Sequence, residues 1–216
     1  MTRTFSRFAD RTDAGEHLAD LLERRGIAAE SVLAIPRGGL PVARVVADAL
    51  DLPLDVVVAR KLGAPTNPEL AIGAVAADGS LWLNDALIDR LGVDGDYVDR
   101  TADREAENAR RKRERYRGTP GPAPTEGGTV LVVDDGIATG ATTIACVRQA
   151  RAAGADRVIV AVPVAPPDVI ERLREEADDV IAVITPSSFG AVGRFYESFE
   201  QVSDEEAMDY LDEGER

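Results

Sequence analysis

The order of apolar segments predicts an α/β fold, with a mainly parallel, twisted sheet covered by helices on both faces. Three observations carry that expectation. Short continuous apolar runs alternate with amphipathic helical stretches along the chain. The runs are apolar throughout rather than alternating in polarity, as strands buried on both faces require. At 216 residues the chain is long enough to bury a substantial core, and residues 1–216 are expected to form one domain.

The elements follow in order. Asp13 and Glu16 suggest a capping box for a first helix, whose apolar positions Ala14, Leu18, Leu21 and Leu22 follow helical spacing and which Gly26 stops. Residues 32–35 form a first strand, and the turn Pro36-Arg37-Gly38-Gly39 leads into a helix with Pro41 in its first turn and Val42, Val45, Val46 and Leu50 on its buried face. A second strand spans 54–59 and ends at Arg60-Lys61. Residues 70–83 read as a hairpin turning at Asp78-Gly79. A polar helix over about 96–116 and a Gly/Pro-rich linker, 118–128, precede a third strand at 130–133 and its helix. A strand at 157–162, a helix opened by Pro166-Pro167 and a strand at 180–184 complete the sheet. Residues 186–216 then form a small hood or docked tail, with a short helix patterned by Ala207, Met208 and Leu211.

Composition removes several classes of function. A net charge of −14 argues against nucleic acid as the main partner. The basic run 110–117 is interleaved with Glu114 and preceded by Glu105 and Glu107, which makes it a solvated helix face. Only Lys61 and Lys112 among the 25 basic residues are lysines. An acidic, Lys-poor surface suits a salt-rich cytoplasm, where repulsion is screened. The single cysteine, Cys146, permits no intrachain disulfide and reads as a small core residue, while His17, the one histidine, reads as surface. No apolar run approaches a membrane span and the amino end shows no signal-peptide pattern, so a cytoplasmic protein without membrane contact is expected. Walker, Gly-x-Gly-x-x-Gly and Gly-x-Ser-x-Gly patterns are absent, as is any metal-spaced His/Cys set.

Residues 130–142 carry the chemistry. An apolar strand runs into Asp134 and Asp135, then into Gly136, Ile137, Ala138, Thr139, Gly140, Ala141 and Thr142 before a helix. Unpaired backbone N–H groups of a Gly/Thr turn at a helix N-terminus hold a phosphate monoester. Gly136 and Gly140 let the backbone approach the anion, and Thr139, Thr142 and Thr143 add hydroxyl donors. The two carboxylates are suited to accepting hydrogen bonds from neighbouring hydroxyls. A pentose 5-phosphate satisfies both features.

This segment resembles the phosphoribosyl-pyrophosphate (PRPP) signature of the type I phosphoribosyltransferases: a hydrophobic run, two acidic residues, two or three small or apolar residues, Thr-Gly, then Ala/Gly-Thr. The resemblance implies that Asp134 and Asp135 contact the ribose 2- and 3-hydroxyls and that residues 136–142 wrap the 5-phosphate. It also implies that Pro36, Arg37, Gly38 and Gly39 form a pyrophosphate loop, its free N–H groups and Arg37 holding the diphosphate. Arg60 and Lys61 match the place where relatives carry a basic residue toward the pyrophosphate, so Asp134, Asp135, Lys61 and Arg37 are the expected catalytic set. Residues 63–77 occupy the place of the family's mobile loop, within a flexible loop and hairpin at 63–84.

The implied reaction moves the 5-phosphoribosyl group from PRPP to a nitrogenous acceptor, expected to be a nucleobase. Mg²⁺ would be held by PRPP oxygens and waters near Asp134 and Asp135 rather than by a protein cage. Phe189 and Tyr196 are the candidate acceptor-stacking residues of the hood; the same aromatics would equally pin the tail to the core. Where 6-oxopurine enzymes carry an Asp before Thr-Gly, this chain has Ala138, which points away from hypoxanthine and guanine. A homodimer fits the resemblance. The alternative reading is a PRPP- or nucleotide-sensing regulator on the same fold.

Overall fold

The computed structural model describes residues 7–117 and 127–212. Most of the predicted linker (118–126) and the end of the tail (213–216) lie outside the described residues. Helix α1 (Arg11–Arg24) leads into β1 (Ser31–Ala34), α2 (Gly39–Leu50) and β2 (Leu54–Val56). Strands β3 (Ala59–Ala64), β4 (Asn67–Ala76) and β5 (Leu81–Leu83) follow, then helices α3 (Asp85–Leu91) and α4 (Gly95–Arg117). The chain continues through β6 (Thr129–Val133), α5 (Ala141–Ala152), β7 (Arg157–Val164), α6 (Pro167–Leu173) and β8 (Asp179–Ile184). A 3-10 turn at Val192–Phe195 and helix α7 (Asp204–Asp212) close it.

Five strands form one parallel sheet in the order β2-β1-β6-β7-β8. Side chains alternate between two cores, as the period of a strand demands. Val32, Ala34, Leu131, Val133, Ile159 and Ala161 pack toward α1 and α2, against Leu18, Leu22, Leu40 and Val46. Leu33, Val130, Val132, Val158 and Val160 pack toward α5 and α6, against Ile144, Val147, Val169 and Leu173. Both faces are therefore apolar, which is why the strands read as continuous runs.

The strand order reverses between β1 and β6. From β1 the chain steps outward to β2 and later returns to β1's other side as β6, so the loops that leave these two strands diverge and open a crevice. Their register pairs Ala34 with Val133, and the Ile35 N–H donates to the Val133 carbonyl at 2.9 Å. The strands thus end level, with the 36–39 turn beside the Asp134-Asp135 pair.

Three elements differ from the sequence expectation. The first helix is capped one turn earlier: the Asp10 carboxylate accepts from the Asp13 N–H while the Asp13 carboxylate accepts from the Ala9 N–H, both at 2.9 Å. The apolar run 54–59 crosses from one sheet to another, with Val56, Val57 and Val58 buried throughout, so hydrophobicity does not mark the change. Arg60 and Lys61 consequently lie inside β3, paired antiparallel with Val75 and Ala74 of β4, rather than at a strand end. Between the hairpin and α4 stands α3, capped by the Asn84 side chain on the Leu87 N–H and stopped by Gly92 at a left-handed φ of 60°.

The predicted hairpin is present as β4 and β5, joined across Asp78 and Gly79, and β3 adds a third antiparallel strand. Small side chains seat this second sheet on α5: Ala74 and Ala76 pack against Ala141 and Ala145. Its opposite face, with Leu62, Ile72 and Val75, packs on α3 and α4 through Leu87 and Val98.

Leu131 is fully enclosed at the centre of the sheet. Leu131→Ala should destabilise the fold by about 2–5 kcal/mol, through lost transfer free energy and a residual cavity. Urea unfolding should show the midpoint falling with an unchanged slope.

Candidate active site

The site is built from the two loops that end β1 and β6, roofed by the 192–200 segment. Gly140 caps α5 at a left-handed φ of 78° and offers no side-chain hydrogen bond, so the first-turn N–H groups of Ala141, Thr142 and Thr143 have no helical acceptor. The sequence-predicted phosphate loop, residues 136–142, therefore leads into a helix N-terminus with unpaired first-turn N–H groups, and Ala138 and Thr139 are exposed at its rim. The Ile137 N–H is already committed to the Val164 carbonyl, and its side chain is buried, which makes Ile137 an anchor for the loop.

The 36–39 turn meets the carboxylates without an intervening side chain. A Cβ on Gly38 would lie 2.1 Å from Asp135 Oδ2, and one on Gly39 would lie 2.9 Å from the Val133 carbonyl oxygen. Close approach is what these glycines supply. The Gly39 N–H is not among the free donors that the sequence suggests, because it donates to the Ile35 carbonyl at 3.1 Å.

Asp134 is partly open to solvent at the mouth of the site. Burial of its carboxyl by the surrounding protein, and then the neighbouring Asp135 charge, push its pKa well above the usual aspartate range. Burial raises the Asp135 pKa too, against the opposing pull of Arg11. Arg11 Nε lies 2.8 Å from Asp135 Oδ2, and the Asp135 N–H donates to Asp134 Oδ1 at 2.8 Å.

The predicted basic residues are sorted by the pleat of β3. Arg60 points toward α4, 3.4 Å from Glu105, and stands with Arg37 near Lys112. Lys61 lies on the other face and pairs with Glu69 at 3.0 Å. Lys112, from α4, reaches the 36–39 turn instead: its Nζ donates to the Pro36 carbonyl at 3.1 Å, and burial, then Arg60 and Arg37, lower its pKa. The scarcity of lysine that singles out Lys61 applies equally to Lys112, and the charge run around it hides it. Arg37 is 3.5 Å from Asp204 of α7, which also accepts from Tyr116 at 2.7 Å and from Arg115.

Tyr196 does not face a ligand. Its ring is 3% exposed, enclosed by Phe8 and Phe199 at centroid distances of 5.4 and 4.9 Å, and its hydroxyl donates to the Asp135 carbonyl. It pins the tail onto the signature loop, and the expectation of acceptor stacking at Tyr196 is corrected accordingly. Phe189 remains partly exposed, stacked on Phe195 at 5.4 Å. Among the described residues no group of three His, Cys, Asp or Glu could hold a metal, and no helix is long and apolar enough to cross a membrane.

The family model for the phosphoribosyl transferase domain matches residues 12–199, taking in both loops and the roof. The chain belongs to the phosphoribosyl transferase family. A Mycobacterium tuberculosis protein provisionally named a phosphoribosyl transferase is 44% identical over 209 residues, covering 97% of this chain and 47% of its own length. The chain thus spans about half the length of the curated relatives it matches. The crystal structure of TT1426 from Thermus thermophilus superposes with a TM-score of 0.81 at 44% identity, covering 96% of this chain and 98% of that one. The mainly parallel α/β sheet is that of a type I phosphoribosyltransferase.

Two substitutions probe this geometry. Gly38→Ala must displace Asp135 Oδ2 or the turn, and an overpacking penalty of about 1–3 kcal/mol is expected in urea unfolding. Asp134→Asn should stabilise the ligand-free chain. The folded pKa lies above the ordinary 3.8, so the stability conferred by the neutral carboxyl is full below that value and is lost as pH rises through the raised one. Asn does not ionise, so the Tm advantage of Asp134→Asn should widen as pH climbs. Melts from about pH 5 to 8.5 check the trend; an advantage that shrinks with rising pH contradicts it.

Proposed function

We propose that the protein transfers the 5-phosphoribosyl group of PRPP to a nitrogenous acceptor, a nucleobase in the simplest case, with release of pyrophosphate. The observation that carries this reading is the abutment of two different anion loops at the β1/β6 switch point. One is a helix N-terminus sized for a phosphate monoester, the other a glycine turn flanked by Arg37, Arg60 and Lys112. A carboxylate pair suited to sugar hydroxyls lies between them. A ligand with a phosphate at one end of a pentose and a diphosphate at the other matches that order.

In this reading the acceptor nitrogen attacks the anomeric carbon as the bond to the diphosphate oxygen breaks, the bonding pair leaves with that oxygen, and the nitrogen's proton passes to the departing diphosphate or to water. Asp134 accepts a ribose hydroxyl, residues 138–142 hold the 5-phosphate, and Arg37 with its basic neighbours stabilises the leaving diphosphate. The donor set suits a Mg²⁺ ion carried on PRPP oxygens, with Asp134 the one carboxylate of the pair not already held by arginine; bound there, the ion would supply counter-charge to the diphosphate. The exposed Ala138 leaves the loop without the carboxylate that 6-oxopurine enzymes use, which favours adenine- or uracil-type acceptors. Phe189 and Phe195 offer the acceptor an aromatic face. The hairpin sheet is the candidate lid, and a salt-rich cytoplasm the expected setting.

Pyrophosphate release with PRPP, Mg²⁺ and a panel of bases in high salt is the direct test. Turnover with at least one base is expected. Loss of one hydrogen bond to a charged group in Asp134→Asn should lower kcat/KM by roughly 10- to 150-fold. Tight PRPP binding with no turnover on any acceptor would instead favour a sensor.

A further inference from the structure

Arg11 lies outside every motif of the signature, yet its guanidinium has three partners at the site. Nε is 2.8 Å from Asp135 Oδ2, with the two side chains only 12% and 13% exposed. The η1 nitrogen donates to the Glu200 carbonyl at 2.7 Å, and the guanidinium carbon lies 3.9 Å from the centroid of the Phe199 ring. Arg11 is also the first residue of α1. Positive charge at a helix N-terminus opposes the helix dipole, so local preference disfavours an arginine there. A residue placed against its local preference, and then held from three directions, has a role elsewhere.

We infer that Arg11 is a positioning residue for ribose recognition: it fixes the Asp135 carboxylate, and through it Asp134, in the orientation that accepts a ribose hydroxyl. The inference rests on the phosphoribosyl reading of the site. Asp135 Oδ2 is held by Arg11 on one side and lies against Gly38 on the other, which fixes the plane of the carboxylate. The Asp135 N–H in turn orients Asp134 by donating to its Oδ1. Arg11 also draws the Asp135 pKa down against the burial that raises it, which favours the carboxylate form of that side chain. The planar fork allows both Asp135 and the Glu200 carbonyl to be met at once, which one ammonium group does not reproduce.

A chemical comparison separates positioning from general support. Dissociation constants for ribose 5-phosphate, 2-deoxyribose 5-phosphate and inorganic phosphate are measured by calorimetry on the unaltered chain, Arg11→Met and Arg11→Lys, with melts to confirm folding. The unaltered chain should prefer ribose 5-phosphate over the 2-deoxy sugar by about tenfold, the worth of one hydrogen bond to a charged group. Arg11→Met should reduce that preference to within about twofold while inorganic phosphate binds as before. Arg11→Lys should recover part of it, and if Arg11→Met does not fold, Arg11→Lys decides by the same ratio.

Equal weakening of both sugars, or an unchanged ratio, would overturn the positioning role, since mere structural support cannot tell the two sugars apart. Equal binding of both sugars by the unaltered chain would overturn it as well. Failure of the unaltered chain to bind ribose 5-phosphate at all would instead remove the phosphoribosyl reading, and this inference with it.

Discussion

Asp134 and Asp135 are held side by side at the end of β6, where burial raises the pKa of both carboxyls. Each feature around them answers that constraint. The parallel register of β1 and β6 ends both strands level, so the 36–39 turn lies against the pair. Glycine at 38 and 39 permits a contact no other residue allows. Arg11 offsets one charge, and Tyr196 holds the Asp135 carbonyl from the roof. The result is a polar floor held by contacts from four directions, the preorganisation that the proposed transfer would need.

The glycines of the 136–142 loop are legible in the sequence because close packing imposes their residue type: Gly136 and Gly140 stand where a side chain would strike Val192 and Val169. The five-stranded sheet is legible for a similar reason, since burial on both faces leaves only apolar residues. Arg11 and Lys112 are invisible at that level. Their partners lie 124 and 76 residues away, and no local pattern distinguishes a cation that meets its partner across the fold from one that meets water. The change of sheet after Val56 is hidden too, because both sheets bury that stretch equally. Helix α3 carried its caps, Asn84 and Gly92, in plain view, but seven residues are too few for periodicity to stand out.

Charge in this molecule is organised more than it is abundant. The basic residues that meet at the site arrive from four places, the 36–39 turn, β3, α4 and α1, and each is paired with a carboxylate or carbonyl. Asp204 shows how such pairing works at an exposed position: the Tyr116 hydroxyl, then Arg37 and Arg115, draw its pKa below the usual carboxylate value. The cations of this region are therefore oriented by their partners in the ligand-free chain, which is the preorganisation that the proposed anionic substrate would use.

The roof adds a temporal dimension. Phe8 pairs with Tyr196 and exchanges backbone hydrogen bonds with Phe195 and Glu197, while Arg11 reaches Glu200 across a sequence separation of 189. Contacts of such long sequence separation pay their loop-closure entropy before returning any stabilisation. During synthesis, segments emerge from the amino end first. Helix α1 and the first βα units can therefore assemble while Arg11 and Phe8 still lack their roof partners, and the contacts around Asp135 are complete only once the 192–200 segment has joined them.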